Sequence, residues 1–207
     1  KMFFNKKLKN FRLSNIDQKI KLLSNLKVDF VITKKFDKKF SKTKALDFII
    51  QILSKKLNSK FIFVSNNFRF GNRREGNVNL LKKHERSFNY KVIKPEPLIK
   101  NKKIVSSSLI RNLLEKGFLK QANNLLSRNW TIQGVVRKGR QIGKKIGFPT
   151  CNIDIHDYVL AKPGVYAVKV LRKNSNKYLK GIANLGYRPT FNEKQLLLEV
   201  HLFNFSG

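Results

Sequence analysis

The sequence predicts two domains, an α/β domain followed by an all-β domain. In the first part of the chain, short apolar runs rich in β-branched and aromatic residues alternate with stretches of helical apolar spacing. This alternation is typical of a parallel sheet with crossover helices. In the second part, short runs alternate between apolar and polar residues, with Gly, Pro and Asn between them. That pattern indicates a small barrel or sandwich. The sequence changes character near Arg128, so we predict domains at 1–127 and 128–207.

The composition excludes several classes of protein. The chain has 207 residues, of which 41% are hydrophobic, so it can bury a core. Its single cysteine, Cys151, cannot form an internal disulfide, and no apolar run reaches the length of a membrane span or resembles a signal peptide. We therefore expect a cytoplasmic protein without a membrane partner. The net charge of +33 would suit nucleic acid. Because the lysines are spread along the whole chain, no nucleic-acid partner is expected.

The elements of the first half follow from residue spacing. Ser14 is placed to cap a first helix, whose apolar stripe is Ile16, Ile20, Leu23 and Leu26. The further predicted elements are strands at 27–33, 61–64 and 90–93 and helices at 42–57, 105–115 and 118–127. Parallel sheets of this kind bind ligands beyond the carboxyl ends of their strands.

The segment 66–77 follows a predicted strand and is one candidate ligand loop. It combines aromatic residues, arginines and two glycines, a composition that suits a flat ring carrying a phosphate. Its candidate binding residues are Asn67, Phe68, Phe70 and Gly71. An ordinary connection between a strand and a helix explains the segment equally well.

The serines at the start of the helix predicted at 105–115 form a second candidate site. Ser106, Ser107 and Ser108 supply hydroxyls, free N–H groups and the positive end of the helix dipole, which together can hold an anion. Arg111 lies about one turn further and could reach the same anion. Gly117 is the expected end of the helix. Taken alone, an ordinary serine-capped helix start is the commoner explanation.

The second half is predicted to be made of strands. The candidate strands lie at 130–136, 164–170, 180–186 and 196–202. In the last strand, alternation places Glu199 and His201 on the face opposite Leu198, Val200 and Leu202. A carboxylate there could act as a general base in a pocket, although a lone strand glutamate is usually a surface residue.

A glycine-rich basic loop occupies 139–152, with the sequence GRQIGKKIGFPTCN. Gly139, Gly143 and Gly147 are spaced four apart, and Lys144 adds positive charge between them. Glycines let backbone N–H groups approach an anion closely, so the loop is a candidate phosphate site. A basic surface loop followed by an edge strand explains the same residues.

The loop runs into a candidate metal site. If residues 150–152 are extended, Thr150 and Asn152 point to the same face. A hydroxyl and an amide oxygen side by side are hard ligands, which suit Mg²⁺ carrying a nucleotide phosphate.

Five motifs together give the chain a resemblance to a known family. They are NFRFG at 67–71, SSSLIR at 106–111, the loop at 139–152, NLGYRPTF at 184–191 and LEVHLFNFSG at 198–207. In this order they closely resemble the bacterial bifunctional riboflavin kinase/FMN adenylyltransferase (FAD synthetase) family. The resemblance extends over both halves of the chain.

The resemblance implies a fold and a role for each half. The first half resembles a Rossmann-like nucleotidyltransferase that makes FAD and pyrophosphate from FMN and ATP, with 67–76 on the flavin side and 106–111 as a phosphate motif. The second half resembles an all-β riboflavin kinase barrel of the six-stranded type, which uses ATP and Mg²⁺. There Thr150 and Asn152 match the nucleotide and metal site. Glu199 matches the base that accepts the proton of the riboflavin 5′-hydroxyl.

The chain departs from the family pattern at several points. The family's His-x-Gly-His signature is not found in it, and both ends of the family pattern are missing. We therefore expect a fragment impaired in both reactions. Ser65 stands where Gly is usual, Asn67 where Asp is common and Ser108 where Thr is usual. Cys151 replaces a usual Ala.

Two alternatives stay open. The protein could be a kinase whose first domain has lost its chemistry. It could instead be a basic nucleic-acid-binding protein on the same scaffold, and salt-sensitive binding to duplex DNA tighter than binding to ATP would distinguish that case.

Overall fold

The computed structural model describes residues 11–137, 143, 147–155, 158–189 and 194–205. The chain divides into two compact units, one formed by 1–31 together with 106–207 and the other by 32–105. Within the described ranges, no helix is long and apolar enough to cross a membrane.

The α-helices of the described residues are α1 Ile16–Asn25, α2 Lys38–Ser41, α3 Ala45–Asp47, α4 Val78–Lys83, α5 Ser107–Glu115 and α6 Leu119–Leu126. A π-helical segment, Phe48–Lys56, continues α3, and a short 3₁₀ turn lies at Asn72–Arg74. The strands are β1 Phe61–Phe63, β2 Arg69–Phe70, β3 Gly76–Asn77, β4 Lys91–Ile93, β5 Ile99–Lys100, β6 Lys103–Ile104, β7 Val136–Arg137, β8 Cys151–Ile153, β9 Gly164–Leu171, β10 Tyr178–Pro189 and β11 Lys194–Leu202.

A parallel pair of strands forms the centre of the unit 32–105. Strand β1 pairs with β4, with Ile62 opposite Val92, and α4 lies between them in the sequence. The predicted strands at 61–64 and 90–93 and their parallel pairing are therefore confirmed. The buried core around the pair consists of Ala45, Ile49, Ile62, Phe70, Val78, Leu81, Tyr90 and Val92. Inside this core, the Tyr90 hydroxyl donates to the Leu81 carbonyl over 2.7 Å. Burial raises the pKa of Tyr90 to about 12.

The helix predicted at 42–57 forms from residue 45, but most of it is π-helical. Its first turn is held by the Ala45 N–H, which donates to the Glu75 carboxylate over 2.7 Å. The i→i+5 bonding of a π-helix rotates successive residues less than an α-helix does. The apolar residues of this segment are therefore only partly buried: Ile49 is fully buried, whereas Leu46 is 43% exposed.

The strand predicted at 27–33 does not form. Residues 28–37 have no regular structure, and Phe30 and Ile32 are 86% and 72% exposed. A strand needs a neighbour to take up its N–H and C=O groups. Among the residues that the structure describes, no strand pairs with this segment. The β-branched composition alone was therefore not sufficient to make it a strand.

The first helix is capped by Asn15 instead of Ser14. The Asn15 side chain accepts from the Gln18 N–H over 2.8 Å, and the Gln18 side chain accepts from the Asn15 N–H over 2.9 Å. This reciprocal pair is a capping box. Ser14 is buried, and its hydroxyl accepts from the Arg128 guanidinium over 3.0 Å. No residue of α1 is buried, so its predicted apolar stripe does not pack into a core.

Helices α5 and α6 form where the sequence predicted them. The chain turns between them at Gly117, whose φ of +83° favours glycine. Leu114, near the end of α5, is fully buried, and its carbonyl accepts from the Lys162 N–H over 3.0 Å. This hydrogen bond ties the end of α5 to the segment that precedes β9.

Strands β7 to β11 form one antiparallel sheet in the order β7-β8-β11-β10-β9, whereas β2 with β3 and β5 with β6 form separate two-stranded pairs. The predicted strands at 164–170, 180–186 and 196–202 are confirmed. One face of the sheet carries buried apolar residues, namely Ala183, Leu185, Leu198 and Val200. The predicted closure into a barrel is not present within the described residues, because β7 and β9 stand at the two edges without pairing with each other.

The strand predicted at 130–136 is shortened to Val136–Arg137 because side chains take its backbone groups. The Trp130 N–H donates to the Asn123 side chain over 2.7 Å, and the Gln133 N–H donates to the Tyr158 hydroxyl over 3.0 Å. These N–H groups are thus not available to a sheet ladder.

Substituting Gly71 by alanine is expected to destabilise the unit 32–105 by about 3 kcal/mol. The φ of Gly71 is +75°, and an added Cβ would lie 2.7 Å from the Ala45 backbone. Urea unfolding followed by far-UV circular dichroism measures the change. Gly186→Ala is the matched control, since its Cβ would meet no heavy atom nearer than 3.9 Å. Equal stability of the two variants would contradict the packing argument.

Candidate active site

A row of polar residues crosses the middle of the five-stranded sheet. Arg137 on β7 pairs with Asn152 on β8, Asn152 pairs with Glu199 on β11, and Glu199 pairs with Asn184 on β10. Directly opposed residues of antiparallel strands project to the same face, with Cβ atoms about 4.5–5.5 Å apart. The sheet therefore brings a cation, a carboxylate and two amides into one line, on the face opposite the apolar residues.

The amide of Asn152 is the most unusual group in this row. Asn152 is only 8% exposed, and its Oδ1 atom is buried without a hydrogen-bond partner among the described residues. Leaving a buried acceptor unsatisfied costs about 1–3 kcal/mol. A bound ligand, ion or water explains such an atom, and an amide oxygen next to the Thr150 hydroxyl is a hard donor, which suits Mg²⁺. The residues present thus fit the predicted metal site.

One backbone hydrogen bond and one close approach lie near Thr150, the other predicted metal ligand. The Phe148 N–H donates to the Gly143 carbonyl over 2.8 Å and closes the end of the glycine loop. A Cβ built on Gly143 would lie 2.3 Å from the Phe148 carbonyl oxygen and 3.6 Å from the Thr150 hydroxyl oxygen. Only glycine fits at this position, because the loop passes so close to the start of β8. Thr150 is exposed.

The other glycine-loop residues are only partly described. Gly147 has a φ of +83°, which favours glycine, and a Cβ there would meet open space. Gly139 and Lys144 lie outside the described residues, so their predicted phosphate contacts stay predictions.

Cys151 lies between the two predicted metal ligands and points away from them. Its thiol donates to the Val200 carbonyl over 3.4 Å, on the apolar side of the sheet. Burial raises the pKa of the Cys151 thiol. The thiol therefore remains protonated at neutral pH and behaves as a small packing group.

His201 makes a contact beside the site that the sequence did not predict. Its Nδ1 atom lies 2.8 Å from the Pro149 carbonyl oxygen, one residue before Thr150. The available signal was its position two residues after Glu199, on the same face of the strand. Nothing in the sequence pointed to Pro149 as its partner.

The serine motif of the first half forms a capped helix start. The Ser106 hydroxyl accepts from the Leu109 N–H over 3.2 Å, and Ser107 and Ser108 are the first helical residues. The Arg111 guanidinium lies 3.7 Å from the centre of the Phe11 ring, and its Nε donates to the Phe11 carbonyl over 2.9 Å. Burial lowers the pKa of Arg111. The structure thus brings Arg111 to Phe11, and its predicted contact with an anion at the serines stays a prediction.

The candidate flavin-side residues differ in their positions. Asn67 is exposed and accepts from the Ser65 hydroxyl over 2.9 Å. Phe68 stacks on Phe70 with ring centres 5.4 Å apart, and Phe70 is buried in the core. Gly71 packs on the helix start at Ala45. Phe70 and Gly71 therefore hold this loop in place, whereas Asn67 and Phe68 lie at or near its surface.

Comparison with known protein families follows the division into two halves. Residues 1–109 match the family model of FAD synthetase, and residues 126–207 match that of riboflavin kinase. The two models define a class of ATP-using transferases with two modules. The chain belongs to the bifunctional riboflavin kinase/FMN adenylyltransferase family, as its motifs predicted.

Three curated relatives carry the name "Bifunctional riboflavin kinase/FMN adenylyltransferase". The protein of Buchnera aphidicola (Schizaphis graminum) is 42% identical over 207 residues, covering 99% of this chain and 66% of the relative. That of Haemophilus influenzae is 42% identical, covering 94% and 63%, and that of Escherichia coli K12 is 36% identical, covering 93% and 61%. The chain therefore spans less than two thirds of the length of these relatives.

One solved structure is similar over most of the chain. It is described as "Crystal Structure of Macrolide-efflux Protein from Streptococcus pneumoniae" and is 26% identical, with a TM-score of 0.79. The similarity covers 94% of this chain and 62% of that one. The description is that of the other protein, and the similarity supports the fold found here.

Replacing Asn152 by leucine is expected to raise the free energy of unfolding by about 1 kcal/mol in the absence of Mg²⁺ and nucleotide. The substitution removes the orphaned Oδ1 acceptor and keeps the branched shape of the side chain. Urea unfolding in EDTA measures the effect. The exposed Asn184 provides the control, and Asn184→Leu is expected to change stability by less than about 0.5 kcal/mol. A clear loss of stability in Asn152→Leu would mean that the amide is satisfied in the folded protein.

Proposed function

We propose that the protein acts in FAD biosynthesis, with ATP-dependent phosphorylation of riboflavin to FMN in 128–207 and adenylylation of FMN to FAD in 1–127. The observation that carries the kinase proposal is the register pair of Asn152 and Glu199, with a buried amide oxygen that lacks a partner. The match of 126–207 to riboflavin kinase supports it. The names of the curated relatives support both activities.

Glu199 is proposed as the general base. Its carboxylate accepts the proton of the riboflavin 5′-hydroxyl while that oxygen forms a bond to the γ-phosphorus of ATP. The bond between the γ-phosphorus and the β–γ bridging oxygen breaks, and ADP leaves. The central position of Glu199, between Asn152 and Asn184, supports this role because the neighbouring strands fix its backbone on both sides.

Thr150 and Asn152 are proposed to hold Mg²⁺. When bound, Mg²⁺ neutralises charge on the phosphates of ATP. Backbone N–H groups of the glycine loop, at Gly139, Gly143 and Gly147, are proposed to bind the same phosphates. Lys144 adds a positive charge there.

The first domain is proposed to bind FMN and ATP for adenylylation. Asn67, Phe68, Phe70 and Gly71 are the proposed flavin-side residues. The helix start at Ser106, Ser107 and Ser108, with Arg111, is the proposed phosphate site. The N-cap geometry of α5 supports an anion there: the Ser106 hydroxyl accepts from the Leu109 N–H, and the N–H groups of Ser107 and Ser108 lie before the first carbonyl partners of the helix.

The finer features of the fold are part of the same proposal. We place the domain boundary at 127/128, after the segment 1–109 that the FAD synthetase model matches and two residues inside the segment 126–207 that the riboflavin kinase model matches. The first domain is proposed to be Rossmann-like and the five-stranded sheet to belong to a kinase barrel of the six-stranded type. A cytoplasmic location stays a prediction.

Substituting Glu199 by glutamine is expected to reduce FMN formation by about 10²–10⁴-fold, since removing a positioned general base costs this much. The affinity for Mg²⁺·ATP should stay within about twofold, because the amide occupies the same volume. Riboflavin, ATP and Mg²⁺ are supplied, and chromatography separates the flavins. Glu96→Gln, on an exposed loop of the unit 32–105, is the matched control.

The Buchnera relative, assayed in parallel, is the positive control for the reaction. If the Glu199→Gln variant still forms FMN at the rate of the unsubstituted chain, Glu199 is not the base. If the relative forms FMN but the chain shows no Mg²⁺-dependent ATP binding, the result counts against the kinase proposal for these residues. Salt-sensitive binding of duplex DNA, tighter than that of ATP, would favour the nucleic-acid alternative.

A further inference from the structure

We propose that His201 is a positioning residue of the kinase site, which sets Thr150 in place by a hydrogen bond to the carbonyl of Pro149. The inference rests on the proposed kinase function, in which Thr150 holds Mg²⁺. It assigns a role to a side chain that the proposed reaction steps do not use.

The first step of the argument is where the β8–β11 ladder ends. Its paired residues are Ile153 with Leu198, Asn152 with Glu199 and Cys151 with Val200. Thr150 lies one residue beyond the last pair. At the end of a ladder, the position of a residue also depends on what holds the residue before it.

His201 forms a hydrogen bond with the residue directly before Thr150. Its Nδ1 atom lies 2.8 Å from the Pro149 carbonyl oxygen. A carbonyl only accepts, so Nδ1 carries the proton and donates. Pro149 has no N–H and a fixed φ, so its carbonyl is its one backbone hydrogen-bonding group. Thr150 is therefore held between a side-chain bond at Pro149 and a ladder pair at Cys151.

Aromatic neighbours fix the orientation of the imidazole. The Phe148 ring meets the His201 ring edge-on at 5.7 Å between centres, and the Phe203 ring does so at 5.9 Å. Edge-to-face contacts of this kind favour one ring orientation. Because the Phe148 N–H also donates to the Gly143 carbonyl, contacts connect Gly143, Phe148 and the imidazole next to Thr150.

Two residues of β11 therefore have different proposed roles. Glu199 and His201 lie two residues apart and project to the same face. Glu199 is the proposed general base, whereas His201 positions the segment that carries Thr150, the proposed metal ligand. The structure thus predicts that loss of the imidazole donor weakens Mg²⁺-dependent ATP binding and leaves riboflavin affinity unchanged.

The test compares two substitutions of His201 in the full 207-residue chain. His201→Asn keeps an N–H donor near the position of Nδ1, whereas His201→Phe keeps an aromatic ring and removes the donor. Calorimetric titration of ATP at a series of Mg²⁺ concentrations gives the Mg²⁺ requirement of each. His201→Phe is expected to raise the Mg²⁺ concentration for half-maximal ATP binding about three- to tenfold, the effect of losing one net hydrogen bond. His201→Asn is expected to stay within about twofold of the unsubstituted chain.

Controls separate positioning from general damage. His84→Phe makes the same substitution in the unit 32–105 and is expected to leave the Mg²⁺ requirement unchanged. Riboflavin affinity and melting temperature are also measured for every variant. A general loss of structure would lower both of them and would weaken Mg²⁺-dependent ATP binding as well. Nitrogen NMR of the imidazole reports independently whether Nδ1 carries the proton.

The outcomes decide between the inference and the function on which it rests. A normal Mg²⁺ requirement in His201→Phe, equal losses in both variants, or a proton on Nε2 alone in the neutral ring would overturn the positioning role and leave the kinase proposal standing. Absence of Mg²⁺-dependent ATP binding in the unsubstituted chain would overturn the kinase proposal, and the positioning role with it. A loss confined to His201→Phe supports both.

Discussion

The pairing of β8 with β11 is the interaction on which the candidate site depends. These two strands lie far apart in the sequence, and only their antiparallel ladder brings Asn152 opposite Glu199. The register cannot slip by one residue without moving Val200 out of the core and Glu199 into it. The hydrophobic burial on one face of the sheet therefore fixes the polar row on the other face.

The polar row is held at a cost in stability. A buried Asn152 oxygen without a partner is unfavourable in the free protein, and the fold tolerates it because the surrounding strands are fully paired. Such a group is retained where a ligand satisfies it. The hydrogen bond from the Phe148 N–H to the Gly143 carbonyl lies just before β8 and holds the start of that strand in the free protein.

The unit 32–105 is organised around close packing. Gly71 and Gly76 both lie against Ala45, and Phe70 fills the space between the loop and the core. The aromatic and glycine residues of this loop, which the sequence suggested as ligand contacts, thus also determine its conformation. A loop held so firmly presents Asn67 and Phe68 at its surface in a defined arrangement.

The sequence by itself determined the division into an α/β half and a β half, the parallel pair of β1 and β4, three long strands of the sheet, and the family. Alternation and ordered motifs are local signals, so they can be recognised in the sequence without knowledge of the tertiary structure. The sequence was wrong about the strand at 27–33, about the Ser14 cap and about most of 130–136. These outcomes depended on long-range partners: no described strand pairs with 27–33, Arg128 donates to the Ser14 hydroxyl, and the Tyr158 hydroxyl accepts from the Gln133 N–H.

Only the tertiary structure decided how the site is assembled. Spacing predicted that Thr150 and Asn152 share a face, but the opposition of Asn152 to Glu199 required the register of two strands. The bond between His201 and Pro149 joins residues that are 52 positions apart. Sequence patterns report which face a residue occupies, because alternation is local. They do not report which residue stands opposite, because pairing is set by the packing of the whole sheet.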